Sequence, residues 1–171
     1  MTNTNAPPTT EIRIISLWQP WATLIALGLK QYETRSWSTD YRGKLAIHAA
    51  KRPVNKDELA DISYSSAGHL TWEQMSAIDY PLGQIVAIAD LTACLEMVGD
   101  ISRSPSEVAN IHLQTWLETA VGDWQTGRYA WKLENVVALP QPIPFKGGQG
   151  LRRLTDAEAL KAIESMVGVA A

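Results

Sequence analysis

The chain has 171 residues, 46% of them hydrophobic and 19% charged, which is globular composition with enough apolar material for one core and excludes a disordered or low-complexity protein. A single cysteine, Cys94, forbids an intrachain disulfide. With three histidines at unrelated spacings it also leaves no metal-ligand pattern, so neither metal nor cofactor is expected, and a reducing cytoplasm is the expected setting. The formal charge of −3 argues against a non-specific nucleic-acid coat but hides segregation: residues 30–52 hold six Lys or Arg against two acids (+4), residues 127–154 five against one (+4), and residues 53–126 two against eleven (−9).

Residues 1–10, MTNTNAPPTT, read as a frayed polar tail without the basic and apolar regions of a signal peptide. No apolar run approaches the roughly 20 residues needed to span a bilayer, so no membrane association is expected. Glu11 to Leu17 reads as a strand, and Pro20 suits a first helical position, where an N–H is dispensable. Trp21, Leu24, Ile25 and Leu27 keep helical spacing, and Gly28 supplies the left-handed residue that ends such a helix. The period then becomes two. Gln31, Glu33, Arg35 and Trp37 fall on one face and Lys30, Tyr32, Thr34 and Ser36 on the other, so Lys30 and Glu33 can cooperate only if Lys30 sits in the turn after Gly28. Lys44 to Ala50 alternates as a half-buried strand expected to return along the motif strand, with Leu45 and Ile47 on one face and Lys44 and His48 on the other.

Asn55 to Ile62 reads as a helix, Ser63 to His69 as a loop, and Thr71 with Gln74 as a capping box. Gln84 to Leu95 is nearly continuous Ile, Val and Ala and is expected at the centre of the sheet, buried on both sides, with Cys94 as a small hydrophobe. Ser104 to Glu107 opens a helix carrying Val108, Ile111, Leu113 and Trp116 to about Ala120. Arg128 to Leu139 is a further strand, Pro140 to Pro144 a stiff connector, and the glycines at 147, 148 and 150 allow tight turns or close backbone approach. Thr155 with Glu158 is expected to cap a last amphipathic helix. Helices and strands in this order favour an α+β arrangement.

Gly28-Leu29-Lys30-Gln31-Tyr32-Glu33-Thr34-Arg35 fits the pattern Gly-x-Lys-x-x-Glu-x-Arg. With Gln19-Pro20-Trp21-Ala22, Arg35-Ser36-Trp37 and Arg42-Gly43 around it, and Gly127-Arg128-Tyr129-Ala130-Trp131, Pro142-Ile143-Pro144 and Gly147-Gly148-Gln149-Gly150 later, the chain resembles the activating-signal-cointegrator homology (ASCH) domains of the PUA-like superfamily, in their cointegrator-type branch. The resemblance covers most of residues 12–151. It implies a small mixed β-barrel decorated by several helices, with a cleft beside the motif strand. The expected organisation is an ASCH domain over 11–154 followed by a C-terminal helix, 155–171, packed on the same domain.

Within that cleft, Lys30 and Glu33 are the candidate catalytic pair, since a partly desolvated lysine can act as base or nucleophile and a carboxylate can move protons or hold a base edge. The ordinary alternative is an ion pair among Lys30, Glu33 and Arg35. Gln19, Trp21, Lys30, Glu33, Arg35, Trp37, His48, Lys51, Arg128 and Tyr129 are the candidate ligand-binding residues: cations for phosphates, rings and amides for bases. Trp131 could stack likewise, but tryptophans in globular chains are more often core, and His48 could equally be a satisfied structural histidine.

The resemblance implies recognition of single-stranded RNA or DNA, or of a modified nucleobase. Some bacterial ASCH proteins are similar over the motif and are amidohydrolases on acylated cytidine, using a lysine, a threonine and a glutamate; others are ribonucleases. Here Glu33 stands in the threonine's place, although Thr34 is adjacent and Glu96 could supply a second acid. A protein-interaction module using the acidic segment is the third alternative. After Gly150-Leu151, Arg152 and Arg153 stand where relatives have an aromatic, either losing a packing ring or extending a phosphate-binding surface.

Overall fold

A computed structural model describes residues 11–98 and 116–168. Its strands are β1 (Arg13–Leu17), β2 (Tyr32–Arg35), β3 (Gly43–Ala49), β4 (Gln84–Glu96), β5 (Tyr129–Pro144) and β6 (Arg152–Arg153). Its helices are α1 (Trp21–Ala26), α2 (Lys56–Ser65), α3 (Trp72–Ser76), α4 (Trp116–Ala120) and α5 (Ala157–Val167). One six-stranded sheet has the order β2-β5-β4-β3-β1-β6, with β1 and β3 parallel and the other pairs antiparallel. β1 and β2 lie four places apart in that order, yet Arg35 Nη2 of β2 lies 3.4 Å from the Ser16 carbonyl of β1, so the sheet curls into a half-barrel. This is the mixed α+β arrangement that the sequence and its resemblance imply.

Helix α1 fills the concave side. Its Ala22 and Ile25 join Leu17, Leu45, Ile47, Val86, Leu91 and Trp131 in one core cluster. On the convex side Ala159 and Ile163 of α5 pack on Ile12, Ile14, Ala46, Ile85 and Ile88. Residues of β4 therefore contribute to both clusters, and this two-sided burial explains its lack of a polar alternation. Leu24, on the outer side of α1, anchors a third cluster with Leu59 and Ile62 of α2, Met75 of α3 and Leu117 of α4.

Several boundaries differ from the expectations. Pro20 precedes the first helical residue as the N-cap of α1, its carbonyl accepting from the Leu24 N–H at 2.9 Å, while the Thr23 N–H donates to Gln19 Oε1. β3 pairs with β1 and β4, not with the motif strand; β2 pairs instead with β5, which lies about 100 residues further on and offers Trp131 opposite Glu33. α2 continues to Ser65, three residues past the expected stop, with Asn55 as its cap. The Pro-rich connector is the end of β5: Ile143 pairs with Ile85 and Pro144 with Gln84, since prolines are tolerated where a strand stops donating. Asp156, not Thr155, caps α5, accepting from the Ala159 N–H. The Thr71–Gln74 capping box forms as expected. The helix expected from Ser104 onward lies outside the described residues except for its last turn, α4, as does the 1–10 tail.

Candidate functional site

The site begins with the way α1 ends. Gly28 has φ +73°, the Leu29 N–H reaches the Leu24 carbonyl and the Gly28 N–H reaches that of Ile25, each at 2.9 Å. These are the two bonds of a Schellman turn, and Leu29 packs against the cluster that contains Leu24. The turn delivers Lys30 inward before β2 starts, which resolves the facing problem in the motif. The Lys30 side chain is 1% exposed; its Nζ donates to the Val121 carbonyl at 2.8 Å and lies 3.8 Å from Glu33 Oε2. Glu33 Oε1 lies 3.1 Å from Arg35 Nε, so Glu33 sits between two cations. Burial drives the Lys30 pKa down; Glu33 and then Glu118 oppose this, and Arg35 adds to it.

Helix α4 and the loop after it close over this strand. Glu118 is buried and accepts from the Gln31 N–H at 2.7 Å and the Tyr32 N–H at 3.0 Å, while Thr34 Oγ1 accepts from the Asp123 N–H at 2.9 Å. Arg128 ties both sides, donating to the Asp123 and Thr34 carbonyls. Between these elements lies a cavity of about 420 Å³, bordered by Lys30, Glu33, Thr34, Arg35, Trp21 and Arg128 among others. A second cavity, of about 650 Å³, opens on the other side of Trp18 and Arg35, which border both. Its walls include Trp37, His48, Lys51, Lys146 and the glycine segment 147–150. The two basic segments of the sequence therefore meet in one two-lobed cleft.

The candidate residues divide accordingly. Trp21, Lys30, Glu33, Arg35 and Arg128 border the first cavity, and Arg35, Trp37, His48 and Lys51 the second. Gln19 is fully buried and is consumed by structure, its side chain bonded to Thr23 and to the Pro81 carbonyl. Tyr129 is half-buried against the core and borders neither cavity, and Trp131 is fully buried with Trp37 packed edge-on at 4.7 Å. Glu96 is exposed at the far end of β4, opposite Tyr129, and the acid that acts electrostatically on Lys30 from another element is Glu118. Arg152 and Arg153 form the edge strand β6 beside β1, with Arg153 bonded to Glu11. Among the described residues, no group of His, Cys, Asp and Glu has the geometry to hold a metal.

His48 is 1% exposed. Its Nε2 faces the Phe145 carbonyl at 3.0 Å and must donate there, leaving Nδ1 to accept from the Ser16 hydroxyl at 2.9 Å, which accepts in turn from the Gly148 N–H at 3.1 Å. Burial lowers the His48 pKa, consistent with a neutral ring. The histidine thereby fastens the glycine segment to β1. A Cβ on Gly147 would run into the His48 ring and the Ser16 hydroxyl, whereas one on Gly148 would meet only the movable end of Arg152. Gly147→Ala is therefore expected to lower stability by about 1–3 kcal/mol, and Gly148→Ala by well under about 1 kcal/mol, in urea unfolding.

Residues 15–143 match the ASCH domain family. The chain belongs to that family. The ASCH chain is also 33% identical over 81 residues to Activating signal cointegrator 1 of Homo sapiens and of Mus musculus, an alignment covering 47% of this chain and 14% of the relatives' length. Its fold is similar to crystal structures of ASCH from Zymomonas mobilis: a point mutant of that protein matches with a TM-score of 0.52 at 19% identity over 90% of this chain and 96% of that one. The unsubstituted protein matches with a TM-score of 0.52 at 18% identity over 91% and 94%. Two contributors to the ASCH cleft carry no local signal in the sequence. Val121 acts through its carbonyl, which any residue possesses, and Glu118 matters only because folding sets it against backbone N–H groups 86 and 87 residues away. Trp18, which the sequence did not single out as a site residue, is exposed at the cleft, and the Arg52 guanidinium covers its ring at 4.2 Å while hydrogen-bonding both oxygens of Glu58.

Proposed function

We propose that this ASCH domain recognises single-stranded RNA or DNA, or a modified nucleobase, in the cleft beside the Gly-x-Lys-x-x-Glu-x-Arg strand. One observation carries the reading: cations from both basic segments of an otherwise acidic chain border one cleft, with Trp18 and Arg35 between its lobes. Cations position phosphates, while a carboxylate, an ammonium and an indole can hold an unstacked base. Titration with short single-stranded RNA and DNA at two salt concentrations tests it. Binding should weaken with salt, with a log–log slope of about −0.7 per phosphate neutralised. Arg35→Gln should weaken it about tenfold or more, in a protein of unchanged circular dichroism. Salt-independent binding, or none, would sink the reading.

A second reading, as a metal-independent hydrolase, is supported by a buried lysine with a lowered pKa sharing its cavity with Glu33 and the Thr34 hydroxyl. A neutral Lys30 could take a proton from a nucleophile, with Glu33 stabilising the resulting ammonium. Product analysis of the same titration tubes, and incubation with acetylated cytidine, separate the two readings. Intact strands and unchanged cytidine favour binding alone.

A further inference from the structure

The two lobes differ in charge, and the difference assigns them different parts of a ligand. The first brings Lys30, Arg35 and Arg128 together with Glu33 and Asp123, three cations against two acids. The second has Arg35, Lys51 and Lys146, and no carboxylate among the described residues that border it. The N–H groups of Gly147, Gln149 and Gly150 make no hydrogen bond to another described residue, while that of Gly148 is held by Ser16. A glycine segment with free N–H donors beside three cations is a cradle for an anion. It is also pre-shaped, because His48 pins the segment from below and the Lys51 stem lies over Gly83. Arg35 spans the boundary: its Nε lies 3.1 Å from Glu33 Oε1 in an ion pair without hydrogen-bond geometry, and its Nη2 donates to the Ser16 carbonyl at 3.4 Å.

We propose that the second cavity is a phosphate subsite, so that the ligand is a phosphorylated nucleotide or a stretch of phosphodiester backbone and not a free nucleoside. This rests on the nucleic-acid reading above. The base occupies the lobe of mixed charge, where Glu33 and Lys30 present an acceptor and a donor, and its adjoining phosphate crosses Arg35 into the lobe without acids. Trp18, with Arg52 over its ring, borders both lobes.

The test uses a hexanucleotide that binds in the titration above, made with one uncharged methylphosphonate linkage at each position in turn, against wild type and a Lys51→Ala/Lys146→Ala double variant. Both lysines are exposed, so the variant is expected to fold normally. One linkage should weaken wild-type binding about tenfold, and that same linkage should matter less than about twofold in the variant. Comparing 5′-phosphorylated with unphosphorylated hexamer covers a terminal phosphate: a 5′-phosphate that tightens binding about tenfold to wild type and less than about twofold to the variant supports the subsite at the strand end. Equal losses at every linkage together with no effect of the 5′-phosphate, or a loss or gain unchanged in the variant, would overturn it while leaving nucleic-acid binding intact. Failure of every strand and nucleotide to bind at low salt would overturn the functional reading beneath it.

Discussion

Lys30→Met is expected to lower affinity for short single strands by about a hundredfold while leaving stability at neutral pH within about 1 kcal/mol of wild type, or above it. The stability half follows from the balance of terms. A buried ammonium forfeits hydration that its partners must replace, and here burial outweighs the pull of Glu33 and Glu118 on the Lys30 pKa. Methionine keeps the volume, and Glu33 retains Arg35 at 3.1 Å, so the main loss is one hydrogen bond to the Val121 carbonyl, about 1 kcal/mol. Lys30→Ala removes the volume as well and should lose about 2–5 kcal/mol. The sign with pH is also fixed. Because the folded chain releases this proton more readily than the unfolded one, wild type should gain stability relative to Lys30→Met as pH rises from the lowered value toward about 10.4. Urea unfolding of the three proteins at several pH values, with strand binding alongside, makes the comparison. A Lys30→Met protein that loses about 3 kcal/mol or more would make Lys30 a structural ammonium.

Glu118→Ala should reduce stability by about 3 kcal/mol, although the residue borders neither cavity. Two backbone donors at the start of β2 lose their acceptor, and Lys30 loses one of its two nearby carboxylates. Glu118→Gln preserves the shape and one good acceptor, and should lose about 1–2 kcal/mol. Burial raises the Glu118 pKa, with Lys30 and the two N–H bonds opposing it. The folded state therefore holds this proton more tightly than the unfolded one, and the Glu118 contribution to stability fades as pH rises from about 4.3 through the raised value. Strand affinity should fall further in Glu118→Ala than in Glu118→Gln, because the residue fixes where β2 begins and hence where Lys30 points. Equal unfolding midpoints for wild type and Glu118→Ala would show that β2 holds its place without this clamp.

What could be read from the chain alone was whatever local chemistry dictates. Gly28 ends α1 because the left-handed turn suits a residue without Cβ, and Thr71 with Gln74 closes a capping box within four residues. The motif with its aromatic flanks named the family, and the run from Gln84 announced a doubly buried strand, which holds from Ile85 to Leu91 apart from Asp90 but not from Thr92 to Glu96, where the strand is half-buried or exposed. Tertiary structure decided the rest, because the deciding partners lie far apart in sequence. β2 pairs with β5 and not with its neighbour β3, the loop after α4 supplies the Val121 carbonyl that receives Lys30, and Gln19 and Trp131 are spent on the interior. Charge segregation was visible as arithmetic, but one cleft with a mixed lobe and a lobe without acids exists only once the sheet curls. That curl sets Arg35 of β2 beside Ser16 of β1 and brings the glycine segment and Lys51 to the same cavity. No local pattern encodes these contacts, because hydrogen bonding and burial reward them only after the chain has closed.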